Sequence, residues 1–491
     1  MQDWLAARAQ ASPDKIAIIE HFDDETRSTI TYQHLHQRVD QFCYQLQDAG
    51  VQSGQHVAML MMNSTLAIVP FFAALRMGLV FVPLNTRLTV DELDFQIQQA
   101  DVDWVLPYGT TDQLAGLRDK GHQIVVFPRK QKANKKPYPQ REIDLDAPFF
   151  IVHTSGTSGK PKGAMLSYGN VFHSALASAY RIGHQPDDIW LCVLPLYHVG
   201  GLSILVRAVL YGITVDLRQT FDVEAINHAL THQPITLISL VPTMLYRLLE
   251  IRQGEWHPAL RLVLLGGAAA TSDLMQTCID NHIPVASTYG LSEAASQVAT
   301  TLSGDAVRKA GTVGKPLLFT QVKIVDEAGN PQASGEYGEI LVKGLTVMQG
   351  YYNNPEATAK TIQDGWLHTG DIGYLDAEGD LFLVQRRSDL IVTGGENVYP
   401  AEVEAVLRQM PAIAQIAVVG ISDAEWGQKV AAAIVLADQQ TVSEHDISDF
   451  ARQHLAGYKI PRVIRFVDAL PLTASGKIQR GAVQALFEET S

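Results

Sequence analysis

The sequence predicts an α/β protein, with a large N-terminal domain of layered α/β sheets plus a β subdomain and a small α+β C-terminal domain. Three observations predict it. Short apolar runs alternate with amphipathic stretches through the first two-thirds of the 491 residues. After about Ala310 the pattern turns to short strands and turns. The C-terminal stretch then reads as a compact mixture of helices and strands. A chain of this length exceeds one ordinary compact domain. The expected boundaries are 1–387 for the first domain, with its β-rich part at about 310–387, and 388–491 for the second.

The elements follow in order from their apolar periods. His56–Met62 reads as a buried strand, Ser64–Met77 as a helix, Leu79–Leu84 as the next strand and Thr89–Ala100 as a helix. Phe149–Val152 is strand-like. Further on, Ile189–Leu194, Thr214–Leu217, Thr236–Leu240 and Leu262–Leu265 read as strands. Between and after them, Gly201–Leu210, Asp222–His232, Thr243–Glu250 and Ser272–Asn281 read as helices. Such alternation implies largely parallel sheets covered by helices. Val322–Val325 and Glu339–Val342 look like strands of a hairpin-rich region, with a turn at Glu327–Asn330. In the last part, Pro400–Arg408 and His445–Leu455 are helical, and Ala414–Val419, Val430–Val435 and Arg462–Phe466 are strand-like. The basic stretch Lys130–Lys136 reads as a solvated loop.

Composition narrows the function classes. Hydrophobic residues make up 46% and charged residues 18%, which is globular rather than disordered. A formal net charge of -14 argues against nucleic acid as a partner. An anionic ligand must therefore be held by local features, such as a backbone nest or a few placed cations. Cys43, Cys192 and Cys278 are scattered and lack metal-ligand spacing, as expected of thiols in a reducing, cytoplasmic setting. The apolar stretches Val57–Met62 and Leu66–Leu75 are too short to span a bilayer.

The string Thr154–Gly163, Thr-Ser-Gly-Thr-Ser-Gly-Lys-Pro-Lys-Gly, follows a strand and has the chemistry of a phosphate-gripping loop. Glycines allow close backbone approach, and hydroxyls, N–H groups and lysines bind phosphate oxygens. It is not a Walker A loop, because Gly156 and Gly159 are too close and Pro161 follows Lys160.

With this string the sequence resembles the adenylate-forming superfamily of acyl-CoA synthetases, adenylation domains and firefly-type luciferases. The resemblance spans nearly the whole chain. Further motifs occur in the superfamily's order: Pro195–His198, Gly266–Ala268, Tyr289–Glu293, Gly365–Asp371, Arg386 with Gly394–Asn397, and Ser475–Lys477. The resemblance implies ATP and magnesium as cofactors, coenzyme A as co-substrate, and two chemical steps. A carboxylate attacks the α-phosphorus and releases pyrophosphate. The CoA thiol then attacks the mixed anhydride and releases AMP.

It also implies roles. Thr154, Ser155, Gly156, Thr157, Ser158, Gly159 and Lys162 would grip phosphates. Gly267, Ala268, Tyr289, Gly290 and Ser292 would line the nucleotide site. Glu293 would be a magnesium ligand, since a hard cation takes oxygen donors. Asp371 and Arg386 would hold the ribose, and Lys477 would be the catalytic lysine stabilising charge at the α-phosphate. Ser388 and Asp389 would be the hinge of a mobile C-terminal domain. After its rotation, Gly394, Gly395 and Glu396 would serve thioester formation. Each of these residues has a plain structural alternative: a turn glycine, a helix-end carboxylate or a surface ion pair.

For the acid, Leu194–Leu217, Leu237–Glu250 and Tyr289–Thr300 resemble the subgroup of 2-succinylbenzoate–CoA ligases of quinone synthesis. Such a substrate has a second carboxylate that must be recognised without being activated. His198, Arg207, Arg218, Ser292, Ser296 and Gln297 are candidates, His198 first because it falls in a pocket motif. Alternatives are a ligase for another aromatic or medium-chain acid, a unit loading a carrier protein, and a non-catalytic nucleotide- or acyl-binding protein. The sequence assigns no oligomeric state.

Overall fold

A computed structural model describes residues 1–22, 26–127, 136–155, 161–268, 270, 272–303, 309, 311–385, 390–437, 440–471 and 478–488. The chain forms two compact units. One comprises Met1–Thr86, Ile97–Val152 and Gly163–Val384. The other comprises Arg87–Gln96, His153–Lys162 and Gln385–Ser491. Among the described residues, no helix is long and apolar enough to cross a membrane.

In the larger unit, strands Ile189–Cys192, Thr214–Arg218, Leu237–Leu240, Leu262–Leu265 and Val285–Leu291 pair in parallel. Ile189–Cys192, Leu237–Leu240 and Leu262–Leu265 are nearly all apolar, as expected of strands covered on both faces. Leu262–Leu265 is buried at every position. At one edge Ile16–His21 pairs in parallel with Thr214–Arg218. A second sheet aligns His56–Leu60 with Val80–Leu84, and Val80–Leu84 with Pro148–Ser155.

The helices sit where apolar period and end signals agree. Thr65–Met77 is capped by Ser64, whose side chain accepts from the Leu66 N–H, and it stops at Gly78 in the left-handed region, φ 70°. Helix Val199–Tyr211 stops the same way at Gly212, φ 72°. That helix starts at Val199 rather than at the expected Gly201, because the His198 carbonyl accepts the first helical hydrogen bond, from Leu202. Helix Tyr32–Asp48, which the sequence reading leaves unassigned, turns a buried stripe of Leu35, Val39, Phe42, Cys43 and Leu46 inward.

The β-rich region continues the main sheet. Strand Ser296–Thr300 folds back antiparallel on Val285–Leu291 and pairs with Thr312–Pro316. The path proceeds through Leu381–Gln385 and Trp366–Leu375 to Gly338–Gly344 and Thr320–Val325. The expected hairpin pairs Val322 with Val342.

In the smaller unit, Ile413–Asp423 and Gly427–Leu436 form a long antiparallel ribbon, with Val463–Phe466 parallel to the second strand. Both strands outrun their expected limits. Alternation lets one face, with Ile416, Val418, Ala432 and Ile434, join Val403, Leu407 and Ile447 from the helices. The other face, with Ala417, Val419, Ala431 and Ala433, receives Val483 from helix Arg480–Glu488.

Candidate active site

Two carboxylates in the larger unit are held by tyrosine hydroxyls. Tyr289, 1% exposed, donates to Asp371 Oδ2 at 2.7 Å across 82 positions of sequence. Asp371, itself buried, lies on strand Trp366–Leu375, where its N–H donates to the Thr369 hydroxyl at 3.1 Å. Tyr351 donates to Glu293 Oε1 at 2.9 Å. The Glu293 main chain is anchored too, its carbonyl accepting from Met348 N at 2.8 Å. Carboxylate oxygens are the group that a ribose hydroxyl donates to and that a hard cation takes as ligand.

The backbone around Glu293 is unusual. Ser292–Ala294 is a single 3₁₀ turn, followed by Ala295 at φ 51° and Ser296 at φ 93°. Two successive non-glycine residues at positive φ store strain, and such strain concentrates at functional sites. Ser174 restrains the turn by donating to the Ala295 carbonyl at 2.6 Å. Gly290 is obligatory, since a Cβ there would lie 1.5 Å from the Ser296 carbonyl oxygen. Gly267 takes φ 83° at the end of strand Leu262–Leu265, and Ala268 follows half-buried.

Of the residues expected to recognise the acid, His198 immediately precedes helix Val199–Tyr211, its ring edge-on to Tyr197 at 4.7 Å. The two arginines differ sharply. Arg218 is committed: its Nε donates to Asp216 Oδ1 at 2.8 Å, and Asp216 also meets His21 Nε2 at 3.0 Å. Arg207 is 2% exposed, and its Nε and Nη2 have no hydrogen-bond partner. Burial pulls its pKa below the ordinary guanidinium value. The Trp190 ring lies 5.8 Å away, and Arg207 borders a small cavity with Ser174, Ser203, Val199 and Ala295. Gln297, 3% exposed, donates to Thr300 and Thr288 while its Oε1 has no partner. An unsatisfied buried polar group costs about 1–3 kcal/mol, more for a charge.

In the smaller unit, Gly394 and Gly395 form a two-residue hairpin between strands Ile391–Thr393 and Glu396–Val398. Their φ values of 56° and 83° require glycine or a small polar residue. A Cβ on Gly394 would approach Trp426 to 2.7 Å, and the Gly394 N–H donates to the Trp426 carbonyl at 2.9 Å. Glu396 is buried and meets Arg87, of the same unit, at 3.3 Å. Thr154 donates to the Lys162 carbonyl at 3.4 Å. Gly156, Thr157, Ser158, Gly159, Arg386, Ser388, Asp389 and Lys477, and the side chain of Ser155, lie outside the described residues. Tyr351 escapes sequence reasoning, because it sits outside every motif and reaches Glu293 only through the short strand Gly350–Tyr351.

The fold is that of an acid-activating ligase, and the chain belongs to the AMP-binding enzyme family. Residues 5–352 match the family itself and residues 402–477 its C-terminal domain. Within the family the chain is similar to a 2-succinylbenzoate–CoA ligase of Bacillus cereus (strain Q1), with 42% identity over 100% of this chain and 99% of that protein. It is also similar to solved structures of o-succinylbenzoate CoA synthetase (MenE) from Bacillus subtilis. A double mutant bound with its product analogue OSB-NCoA matches at TM-score 0.90 and 36% identity, over 98% of this chain and 97% of that one. The complex with the acyl-adenylate intermediate OSB-AMP matches at TM-score 0.73 and 36% identity, over 99% and 98%.

Proposed function

We propose that this chain is a 2-succinylbenzoate–CoA ligase. It activates the acid with ATP to an acyl-adenylate, releasing pyrophosphate, and transfers the acyl group to the CoA thiol, releasing AMP. The observation that carries the reading is 42% identity to a 2-succinylbenzoate–CoA ligase along the full length of both chains.

The roles follow from the chemistry of the residues. Asp371, oriented by Tyr289, accepts from ribose hydroxyls, and Arg386 adds donors. Gly267, Ala268, Gly290 and Ser292 shape the nucleotide site, and the Thr154–Gly159 run with Lys162 grips phosphates. The buried carboxylate of Glu293 suits a hard cation and would hold magnesium, which when bound neutralises phosphate charge. Lys477 stabilises charge at the α-phosphate. Gly394, Gly395 and Glu396 serve the step that uses CoA. The buried free thiols Cys43, Cys192 and Cys278 support a cytoplasmic setting.

His198 lines the acid pocket. Between the two arginines, Arg207 is the better receiver of the second carboxylate, directly or through a water, because its buried guanidinium has unspent donors while Arg218 is paired with Asp216. Pyrophosphate release and thioester formation, measured over a panel of acids, test the substrate. Selective turnover of 2-succinylbenzoate is expected, and preference for a simple aromatic or medium-chain acid would overturn it. In the Arg207→Met variant, kcat/KM for 2-succinylbenzoate is expected to fall about 30-fold or more, the scale of one buried charge-assisted contact. An analogue lacking the second carboxylate should lose little. Equal loss for both acids would remove Arg207 from recognition.

A further inference from the structure

We infer that Asn63 is a positioning residue for acid recognition, whose side-chain amide fixes the backbone of the turn that presents His198. The inference rests on the reading of His198 as lining the acid pocket. Asn63 sits just before helix Thr65–Met77 and is 7% exposed. Its Nδ2 donates to the Leu194 carbonyl at 3.0 Å and to the Arg218 carbonyl at 3.2 Å. Its Oδ1 accepts from the Leu196 N–H at 2.9 Å. One amide thus ties both sides of Pro195 to the end of strand Thr214–Arg218.

This segment has no regular ladder of its own, so its main-chain groups need partners from elsewhere. Asparagine is suited to the task, having two donors and an acceptor on a short stem. Aspartate lacks the donors, and glutamine is one methylene too long. The turn is closed locally by His198 N–H donating to the Pro195 carbonyl at 3.2 Å, and Leu202 N–H then donates to the His198 carbonyl at 3.0 Å. His198 therefore follows wherever Leu194–Leu196 are held.

Asn63 is itself clamped from behind. Glu20, 1% exposed, accepts from Ser64 Oγ at 2.7 Å, Thr65 N at 3.2 Å and Thr65 Oγ1 at 2.6 Å. The carboxylate fixes the residues that follow Asn63 at the head of the helix. The turn that Asn63 holds is the one that carries His198, the residue read as lining the pocket.

The test is steady-state kinetics on the full chain with Asn63→Ala, His198→Ala and the double variant, using 2-succinylbenzoate, ATP and CoA. For Asn63→Ala, kcat/KM for the acid should fall at least tenfold, mainly through KM, with KM for ATP within twofold of the parent. In the double variant the two losses should be less than multiplicative, because both act through His198. If Asn63→Ala does not fold, Asn63→Asp serves in its place, since it keeps the acceptor and removes both donors. Equal loss toward acid and ATP, or full multiplicativity with His198→Ala, would overturn the inference while leaving the pocket reading intact. An unaffected His198→Ala enzyme would take both down together.

Discussion

Tyr289 and Asp371 meet at 2.7 Å although 82 positions separate them. Removing that donor by Tyr289→Phe leaves a buried carboxylate short of one hydrogen bond, worth about 1.5–3 kcal/mol for a charged acceptor. The expected outcome is a rise of tenfold or more in KM for ATP in pyrophosphate release, with the acid KM little changed. A second residue-scale prediction concerns stability. Asp188, 1% exposed, is gripped by Arg261 through Nε at 2.9 Å and Nη2 at 2.6 Å. Burial works to raise its pKa, but hydrogen bonds from Arg261, the Gln185 N–H and Thr236, with the Arg261 charge, together outweigh it and hold the carboxyl below its ordinary value. A carboxyl with a depressed folded pKa stabilises the fold above its unfolded pKa, and that stability is lost as pH falls through the folded pKa. Asp188→Asn should therefore cost about 2–3 kcal/mol at neutral pH, less than a fully buried pair because Arg261 keeps some water. The difference from the parent in denaturant melts should shrink as pH drops below the carboxylate range. Asp371 was legible from its motif. Its tyrosine partnership was not, and neither were Tyr351 and Asn63, because a hydrogen bond between distant residues leaves no periodic trace in sequence.

At the scale of elements, local chemistry was legible at several helices where an end signal coincided with an apolar period, although Tyr168–Ile182, with its Ser167–Asn170 capping box, went unread. Ser64 before Thr65–Met77 and Asp222 before Val223–His232 cap through their side chains, and Gly78 and Gly212 terminate through positive φ. Tyr32–Asp48 had the right stripe, but its polar Gln and His face diluted the signal, and only packing of Leu35, Val39 and Phe42 against the core decides it. The hairpin at Gly394-Gly395 is an element whose shape is its sequence. Both residues have positive φ, and a side chain there costs about 1–2 kcal/mol of strain. Gly395→Leu should impair thioester formation from a supplied acyl-adenylate by tenfold or more while leaving pyrophosphate release within about threefold. Equal loss of both steps would refute that division of labour.

At the scale of the whole molecule, the chemistry needs two half-reactions from one chain, and the residues proposed for them sit partly in one small unit. Lys477→Ala should lower adenylate formation by about a hundredfold or more, the scale of a lost transition-state charge partner. Thioester formation from supplied acyl-adenylate should persist, and near-normal pyrophosphate exchange in the variant would sink the assignment. By itself the sequence determined the α/β class, many of the elements, the family and the substrate subgroup. Those properties are written in local periods and short ordered motifs, which survive without knowledge of which residues touch. Tertiary structure alone decided which candidate cation has unspent donors, Arg207 rather than Arg218, and which side chains hold Asp371, Glu293 and the Leu194–Leu196 backbone, namely Tyr289, Tyr351 and Asn63. It also decided that the β-rich strands extend the main sheet. The physical reason is common to all three: burial, pairing and satisfied hydrogen bonds are properties of neighbours in space, and Tyr289, Tyr351 and Asn63 reach theirs across 82, 58 and 131 positions of chain.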